Sequence, residues 1–282
     1  MAEEFGATAF ASLGSMFDAV DAVVVVTTTS AHAEVALAAI AAGKDVFVEK
    51  PITSTLADGE ALVRAARAAH RILQVGHIER FNGAIQAVLP RIGTPLFIEV
   101  HRLAPFTIRG ADVSVVMDLM IHDLDLLGVL VGRRPSDVRA KGAAIITHEP
   151  DIVNARLEYE GGCVANVTAS RVTAAPMRKV RVFAEAGYFS IDLLGGVATH
   201  YQRGPRLAEQ LAALQGGATL GLSDMVRVEQ LRGDGVEPLI KELDSFCNAL
   251  ATRSAPPVTG EDGLEAMRLA TAILDRVGSA RV

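Results

Sequence analysis

The stretch that decides the fold reads DAVVVVTTT over residues 21–29, SAHAEVALAAIAA over 30–42 and GKDVFVEKP over 43–51. A continuous β-branched run, an Ala-rich segment that ends at a glycine and a second short apolar run predict a strand, a helix and another strand. Both strands are apolar throughout, which is typical of strands that are buried on both faces. The stretch therefore predicts a βαβ unit of a doubly wound, Rossmann-like parallel sheet.

Polar residues follow the two strands of this unit. Thr27 and Thr29 come after the first strand, and Glu49 and Lys50 come after the second. Ligands of open parallel sheets bind beyond the carboxyl ends of the strands, and Pro51 makes the chain turn there because proline cannot continue a ladder. This placement makes Lys50 a candidate site residue. A solvated lysine at a strand end is the alternative that the same residues leave open.

Length and composition limit the class of protein. The chain has 282 residues, 50% of them hydrophobic, which is enough for two domains with cores of their own. Its apolar runs are too short or too interrupted to span a bilayer, so we expect a soluble protein and no membrane partner. A formal net charge of -6 provides no basic field for nucleic acid. Two distant cysteines without metal-ligand spacing, and the lack of an apolar signal segment, favour a reducing cytoplasm and no metal site.

The sequence pattern changes after residue 80. Polar and apolar residues then alternate, as in half-buried antiparallel strands, over 97–103, 154–159, 163–172 and 179–185. Helical patterns occur over 113–130, 237–250 and 263–277. We therefore predict a partial dinucleotide-binding domain over 1–80. An α+β domain with a large, open, mostly antiparallel sheet follows over 81–282, and its C-terminal helices pack back on the first domain.

The helical segment 113–130 carries a candidate acid–base pair. Asp118 and His122 are four residues apart, which places them on one face of a helix. A carboxylate beside an imidazole raises its basicity and fixes its tautomer, as a general base requires. A structural histidine held by its aspartate neighbours explains the same spacing, and the helix alone does not separate the two interpretations.

A third polar run, QVGHIERFN over 74–82, follows the last parallel strand and connects the two domains. In a doubly wound sheet this junction faces the same crevice as Lys50, so His77, Arg80 and Asn82 are candidate site residues. The alternative interpretation of the run is a polar hinge.

Together these stretches resemble the Gfo/Idh/MocA family of nicotinamide-dependent oxidoreductases. The resemblance rests on TTTSAH at 27–32, EKP at 49–51, GHIERFN at 76–82 and DLMIHD at 118–123, in the family's order and at its spacing. It covers essentially the whole chain. Within the family, the run 109–125 looks most like the UDP-N-acetylglucosamine 3-dehydrogenase group, which oxidises a sugar 3-hydroxyl.

The resemblance implies hydride transfer between NAD, with NADP left open, and a hydroxyl carbon of a sugar or nucleotide sugar. Lys50 and His122 would act on the hydroxyl proton, and Asp118 would orient His122 or hold a neighbouring hydroxyl. The cofactor would contact Thr27, Thr29, His32, Glu49, Lys50 and His77. The substrate, whose diphosphate suits arginine, would contact Arg80, Asn82 and Arg109. The resemblance also implies a homodimer or homotetramer formed through the open sheet.

The sequence departs from the family pattern at two points. Met120 replaces a glycine that many members have, which predicts less room for the sugar beside the helix backbone. There is also no G-x-G-x-x-G turn to hold a pyrophosphate at a helix N-terminus. If 7–10 and 23–26 are the third and fourth strands of the order 3-2-1-4-5-6, two βα units are missing, and we expect the natural chain to begin upstream of Met1.

Two expectations follow from the missing glycine turn. The four valines of the organising stretch would lie on an open sheet edge. The chain without that turn would bind NADH no better than about millimolar. The alternative function, from another class, is a non-catalytic sugar-binding or oligomeric scaffold that lacks a cofactor module.

Overall fold

The computed structural model describes residues 3–107, 113–205, 207–216, 219, 221 and 225–278. These residues divide into two compact units. The first comprises the described residues up to His77 together with Glu242–Met267, and the second comprises Ile78–Lys241 and the described residues from Arg268 onward. The first boundary lies after His77, three residues before the predicted boundary at residue 80.

The first unit contains a parallel sheet of three strands within the described residues. The strands are β1 (Ala22–Val25), β2 (Asp45–Glu49) and β3 (Leu73–Gly76), in that order across the sheet. The helices are α1 (Leu13–Phe17), α2 (Thr29–Ala41) and α3 (Leu56–Ala68), and a 3-10 turn spans Glu3–Phe5. Val46, Phe47 and Val48 of the central strand are at most 1% exposed. The βαβ unit and its Rossmann-like parallel sheet are therefore confirmed.

Strand β1 is an edge of this sheet, because among the described residues it pairs with β2 alone. Val24 and Val26 are 47% and 67% exposed, which confirms the predicted open edge with exposed valines. The strand predicted over 7–10 is wrong, since these residues have no regular secondary structure. A strand is stable only when a neighbour accepts its backbone hydrogen bonds, and 7–10 have no such neighbour here.

The second unit is built on a mixed sheet of eight described strands. In chain order they are β4 (Pro95–Leu103), β5 (Pro135–Ala143), β6 (Ile152–Tyr159), β7 (Val164–Ser170), β8 (Met177–Ala184), β9 (Gly187–Asp192), β10 (Val197–Arg203) and β11 (Val226–Arg232). Their order across the sheet is β11-β10-β9-β8-β4-β7-β6-β5. Every neighbouring pair is antiparallel except β4 with β7, so the predicted open, mostly antiparallel sheet is confirmed.

One face of this sheet is apolar and packs on helices α4 (Gly83–Ile92) and α5 (Ile121–Val131). On β6, Val153, Ala155 and Leu157 are fully buried, whereas Asn154 and Arg156 between them are exposed. Period-two alternation puts successive side chains on opposite faces, as the sequence predicted. A π-helical turn, Val116–Met120, precedes α5, and α6 (Leu207–Gln215) follows β10.

The last two helices of the chain are α7 (Pro238–Thr252) and α8 (Gly260–Val277). In the first unit, Phe246 of α7 packs edge to face on Phe47, with ring centroids 5.8 Å apart. Gly263 lets α8 approach β3 closely, because a Cβ there would lie 2.6 Å from a methyl group of Val75. No helix within the described part of the chain has both the length and the apolar character that crossing a bilayer requires.

Candidate functional site

In the first unit, His32 joins the turns that follow β1 and β2. Its Nδ1 lies 2.9 Å from the carbonyl oxygen of Pro51, and its Nε2 lies 3.2 Å from that of Thr27. A neutral imidazole carries one N–H, so it donates to one of these two carbonyl groups at a time. The ring is 1% exposed. The buried His32 ring therefore connects the turn after β1 to the turn after β2.

The end of β2 carries Glu49 and Lys50, both half-buried. The backbone N–H of Lys50 donates to Glu49 Oε2 at 3.2 Å, and the register places Gly76 of β3 opposite Glu49. A Cβ at Gly76 would lie 2.9 Å from Glu49 Oε2. The absence of a side chain at Gly76 therefore makes room for the Glu49 carboxylate. The peptide bond between Lys50 and Pro51 is cis.

The start of α2 offers hydrogen-bond donors at the same edge of the sheet. Thr28 occupies the N-cap position without a capping side-chain hydrogen bond, and its Oγ1 lies 3.1 Å from Ser30 Oγ. Thr27, Thr28 and Ser30 are exposed. Backbone N–H groups at a helix N-terminus and nearby hydroxyls suit the phosphate and ribose oxygens of a dinucleotide. These residues therefore fit part of a nicotinamide dinucleotide.

The other predicted cofactor ligand of the first unit, His77, lies at the end of β3 and is fully buried. Thr29, the first residue of α2, is half-buried. Thr27 follows β1, Thr29 begins α2, and Glu49 and Lys50 lie at the end of β2. All four of these predicted cofactor ligands have side chains that are exposed or half-buried. A direct contact of His32 or His77 with the cofactor stays a prediction.

In the second unit, Asp118 and His122 lie on one helical segment, and both are half-buried. The segment is π-helical over Val116–Met120 and becomes α-helical at Ile121, whose N–H bonds Val116 O. Hydrogen bonds of a π-turn span five residues, so the helix here is locally wider than a regular α-helix, and the shared face of Asp118 and His122 stays a prediction. Met120 is fully buried in the apolar core, and its predicted effect on the room for a sugar stays a prediction.

Arg102 of β4 joins two buried carboxylates of the second unit. It donates to both oxygens of Asp123 at 2.8 and 2.7 Å and to Glu79 Oε1 at 2.9 Å. All three residues are at most 5% exposed. Burial alone would lower the pKa of Arg102, but the two carboxylates raise it above its ordinary value. Burial raises the pKa of Asp123, and the Arg102 guanidinium opposes that rise.

Arg80 and Asn82, predicted to contact the substrate, both have partners inside the second unit. Arg80 donates from Nε and from a terminal nitrogen to the two oxygens of Asp125, at 2.8 and 2.6 Å. Asn82 caps α4, because its Oδ1 accepts a hydrogen bond from Ala84 N at 3.1 Å. Its side-chain amide donates to the backbone oxygen of Leu193 at 3.0 Å. Both side chains stabilise the fold, and their contact with a substrate stays a prediction. Arg109 lies outside the described residues.

The arginine–aspartate contacts around His122 join residues that are far apart in the sequence and were not predicted. Arg102 is 21 residues from Asp123, and Arg80 is 45 residues from Asp125, so neither pair is a neighbour at helical or strand spacing. The sequence of β4 does contain one indication of such a contact. Along β4 the inward positions read Ile98, Val100 and then Arg102, and a charged residue on an apolar face indicates a buried partner.

The loop between β5 and β6 supports the start of the π-helical segment. Asp151 is fully buried, and its Oδ2 accepts from the backbone N–H groups of 145–147 at 2.7, 2.6 and 2.9 Å. The carbonyl oxygen of the preceding residue, Pro150, accepts a hydrogen bond from the backbone N–H of Val115 at 3.2 Å. Burial would raise the pKa of Asp151, but these hydrogen bonds lower it below its ordinary value.

Asp151→Asn should lower the free energy of unfolding of the second unit by about 2–3 kcal/mol at pH 7, because hydrogen bonds to the charged carboxylate are lost. An aspartate whose folded pKa is lowered contributes stability above its unfolded pKa of about 3.9 and loses it as the pH falls through the folded value. The difference from wild type should therefore be complete above about pH 5 and shrink below about pH 4.

Urea unfolding followed by tyrosine fluorescence measures this difference. The chain has no tryptophan, and its three tyrosines all lie in the second unit. Asp137→Asn is the matched control, because Asp137 forms an exposed ion pair with Arg139 and should change stability by less than about 0.5 kcal/mol. A difference between wild type and Asp151→Asn that stays constant down to pH 3 would contradict the stated cause.

Comparisons with known proteins find relatives over most of the chain. A family model described as "Oxidoreductase family, NAD-binding Rossmann fold" matches residues 1–77, and one described as "GFO/IDH/MocA C-terminal domain" matches 85–190. The UDP-N-acetylglucosamine 3-dehydrogenase of Acidithiobacillus ferrooxidans is 39% identical over 252 residues, which are 89% of this chain and 77% of that enzyme.

Two further matches support the same grouping. A solved structure of the Acidithiobacillus ferrooxidans enzyme superposes with a TM-score of 0.87 and 36% identity, and covers 98% of this chain and 84% of that one. The 1,5-anhydro-D-fructose reductase of Ensifer adhaerens is 28% identical over 277 residues, or 90% of this chain and 77% of that enzyme.

Proposed function

This chain belongs to the Gfo/Idh/MocA family of NAD-binding oxidoreductases, and from that premise we propose that it transfers hydride between a hydroxyl carbon of a nucleotide sugar and NAD. The observation that carries the proposal is the 39% identity to a UDP-N-acetylglucosamine 3-dehydrogenase over 89% of this chain. A non-catalytic scaffold is not favoured, because relatives across the whole length are named dehydrogenases and reductases.

Lys50 and His122 act on the proton of the reacting hydroxyl in this proposal. The Lys50 ammonium donates a hydrogen bond to the hydroxyl oxygen, and the His122 imidazole accepts the hydroxyl proton as the carbon is oxidised. Asp118, on the same helical segment as His122, orients the imidazole or holds a neighbouring sugar hydroxyl. Both His122 and Asp118 are half-buried, which suits groups that meet a ligand from a packed helix.

The cofactor in this proposal is NAD, with NADP as the alternative. When bound, NAD would supply the acceptor for the hydride that leaves the sugar carbon. Thr27, Thr29 and Glu49 would hold it at the strand ends, and His32 keeps the two turns in place by its contacts with the carbonyl groups of Thr27 and Pro51.

Both cysteines, Cys163 and Cys247, are free thiols, which supports a reducing compartment such as the cytoplasm.

Formation of NADH in the presence of different sugars tests the proposed substrate class. UDP-N-acetylglucosamine should give a kcat/KM at least about tenfold higher than free N-acetylglucosamine, because binding of the nucleotide part contributes to transition-state stabilisation. myo-Inositol and UDP-glucose are the comparison substrates. A higher kcat/KM with the free sugar or with inositol would contradict the nucleotide-sugar assignment.

We also propose that the open face of the second-unit sheet binds a second copy of the chain. Four aromatic rings from the strands β4, β8, β9 and β10 lie in a row on the face opposite the core, and these are Phe97, Phe183, Tyr188 and Tyr201. Successive ring centroids are 5.9, 4.7 and 5.2 Å apart, and Phe183 is 38% exposed. A row of partly exposed rings on a polar surface supports a self-complementary contact.

Phe183→Asp should therefore convert a dimer, or a tetramer built from it, to smaller species, because a carboxylate would be buried against the second copy. Light scattering at micromolar concentration measures the mass. Ile146→Asp is the control, because Ile146 is an exposed apolar residue on the loop between β5 and β6, away from the aromatic row. A monomeric mass for the wild-type protein would contradict the proposed contact.

A further inference from the structure

Arg80 and Asp125 form a paired contact next to His122 along the helix. His122 and Asp125 are three residues apart in α5, so their side chains are neighbours on one side of it. Arg80 lies on the 3-10 turn Ile78–Phe81 and reaches both carboxylate oxygens, at 2.8 and 2.6 Å. Two parallel charge-assisted hydrogen bonds fix the orientation of the carboxylate as well as its distance.

The hydrogen-bonding geometry of the helix changes just upstream of His122. Val116–Met120 is π-helical, and Met120, at the N-cap position of α5, makes no capping side-chain hydrogen bond. π-Turns are rare interruptions of regular helical geometry and occur often at functional sites. The rotation of α5 about its own axis, and with it the direction of His122, depends on the contacts of the side chains of α5. These include the core packing of Leu124 and Leu127 and the paired contact of Asp125.

Arg80 and Arg102 both bond carboxylates of α5, and Arg80 is the more accessible of the two. Asp125 is 2% exposed, and its hydrogen bonds within the described residues come from Arg80. The Arg80 side chain is 15% exposed, whereas that of Arg102 is 3% exposed. If the charge of Asp125 is removed, Arg80 can be hydrated, so the contact can be broken with less cost in folding than the Arg102 network.

We propose that the Arg80–Asp125 pair is a positioning element that sets the direction of His122 through the rotation of α5. This proposal rests on the proposed function of His122 as the base. It assigns neither residue of the pair a contact with the reacting atoms. A displacement of about 1 Å in a catalytic group can reduce the rate by about a hundredfold, so a contact of this kind has a measurable effect on turnover.

Asp125→Asn tests the positioning role by kinetics. Turnover should fall by about 10- to 100-fold while the KM for the sugar changes by less than about threefold, because the direction of the base changes and the substrate contacts do not. Asp125→Glu, which can still accept both hydrogen bonds, should recover most of the lost turnover. The matched control is Asp137→Asn, which removes an exposed pair with Arg139 in the same unit and should leave kcat unchanged.

Histidine resonances provide a second readout that does not depend on activity. The chain has seven histidines, and the resonance that disappears in His122→Asn identifies His122 in a spectrum of the 15N-histidine-labelled protein. In Asp125→Asn this resonance should shift, and in Asp137→Asn it should not. An unchanged His122 resonance and an unchanged kcat in folded Asp125→Asn would overturn the proposal.

Two further outcomes have defined meanings. If Asp125→Asn fails to fold by circular dichroism, the His122 resonance in Arg80→Lys decides instead, because lysine keeps the charge but cannot form the paired contact. If the wild-type protein has no dehydrogenase activity, the proposed function fails, and the His122 resonance alone decides the positioning role. A shift in Arg80→Lys or Asp125→Asn then supports it, and no shift overturns it.

Discussion

In a protein that also carries a glycine turn for the pyrophosphate, Lys50→Ala and His122→Ala should each lower kcat by about a hundredfold or more, with a smaller change in cofactor affinity. A positioned acid or base contributes about 10²- to 10⁴-fold to a rate, and both side chains act on the proton of the sugar hydroxyl in the proposed reaction. The backbone and hydroxyl donors at the start of α2 remain in both variants, so the cofactor keeps those contacts. Steady-state kinetics together with a fluorescence titration of NADH separates the two effects.

Matched controls exist on the surface of the second unit. Lys141→Ala on β5 and His148→Ala on the loop that follows remove an exposed lysine and an exposed histidine, and both should leave kcat within about twofold of wild type. Near-normal turnover in Lys50→Ala would mean that Lys50 is only a solvated residue at a strand end and takes no part in the reaction. Near-normal turnover in His122→Ala would leave His122 as a structural residue of the helix.

Arg102→Met should lower the free energy of unfolding of the second unit by about 3–5 kcal/mol. The substitution leaves the carboxylates of Asp123 and Glu79 buried without the guanidinium that bonds both of them. Arg102→Lys should be nearly as damaging, because one ammonium cannot reproduce the two parallel hydrogen bonds to Asp123. Urea unfolding followed by tyrosine fluorescence, which reports on the second unit, measures both losses.

A combined variant identifies the cause of that loss. Replacing the three charged groups together, as Glu79→Gln, Arg102→Met and Asp123→Asn, removes the unpaired charges and should recover most of the stability lost in Arg102→Met. The reason is that uncompensated buried charge, and not the missing arginine itself, destabilises the single variant. A loss below about 1 kcal/mol in Arg102→Met would contradict the account of the buried network.

The fold could be predicted from the sequence because its signals are local. Four valines before a threonine run predicted β1, and alternation along Ala155, Leu157 and Tyr159 predicted a sheet with one apolar face. Such patterns depend on which side chains avoid water, and they need no knowledge of distant partners. The strand predicted over 7–10 failed for the opposite reason, because a strand also needs a neighbour.

The details of the candidate site could not be predicted, because they depend on contacts between distant residues. A lone arginine in a polar run gives no indication that Arg80 bonds Asp125 forty-five residues later. The contacts of the His32 ring with the carbonyl groups of Thr27 and Pro51 could not be predicted either, and the ligand contacts of both residues stay predictions. The π-turn before His122 could not be predicted because its residues repeat the apolar spacing of an ordinary helix.

The most direct test of the central claim uses UDP-N-acetylglucosamine labelled with deuterium at carbon 3 of the sugar, incubated with the protein and NAD. Mass spectrometry of the NADH that forms follows the label. If the protein transfers hydride from that carbon, each NADH should carry one deuteron, and the sugar should become the 3-keto product in equal amount. Unlabelled NADH, or no oxidation of the nucleotide sugar while a free polyol is oxidised, would contradict the account.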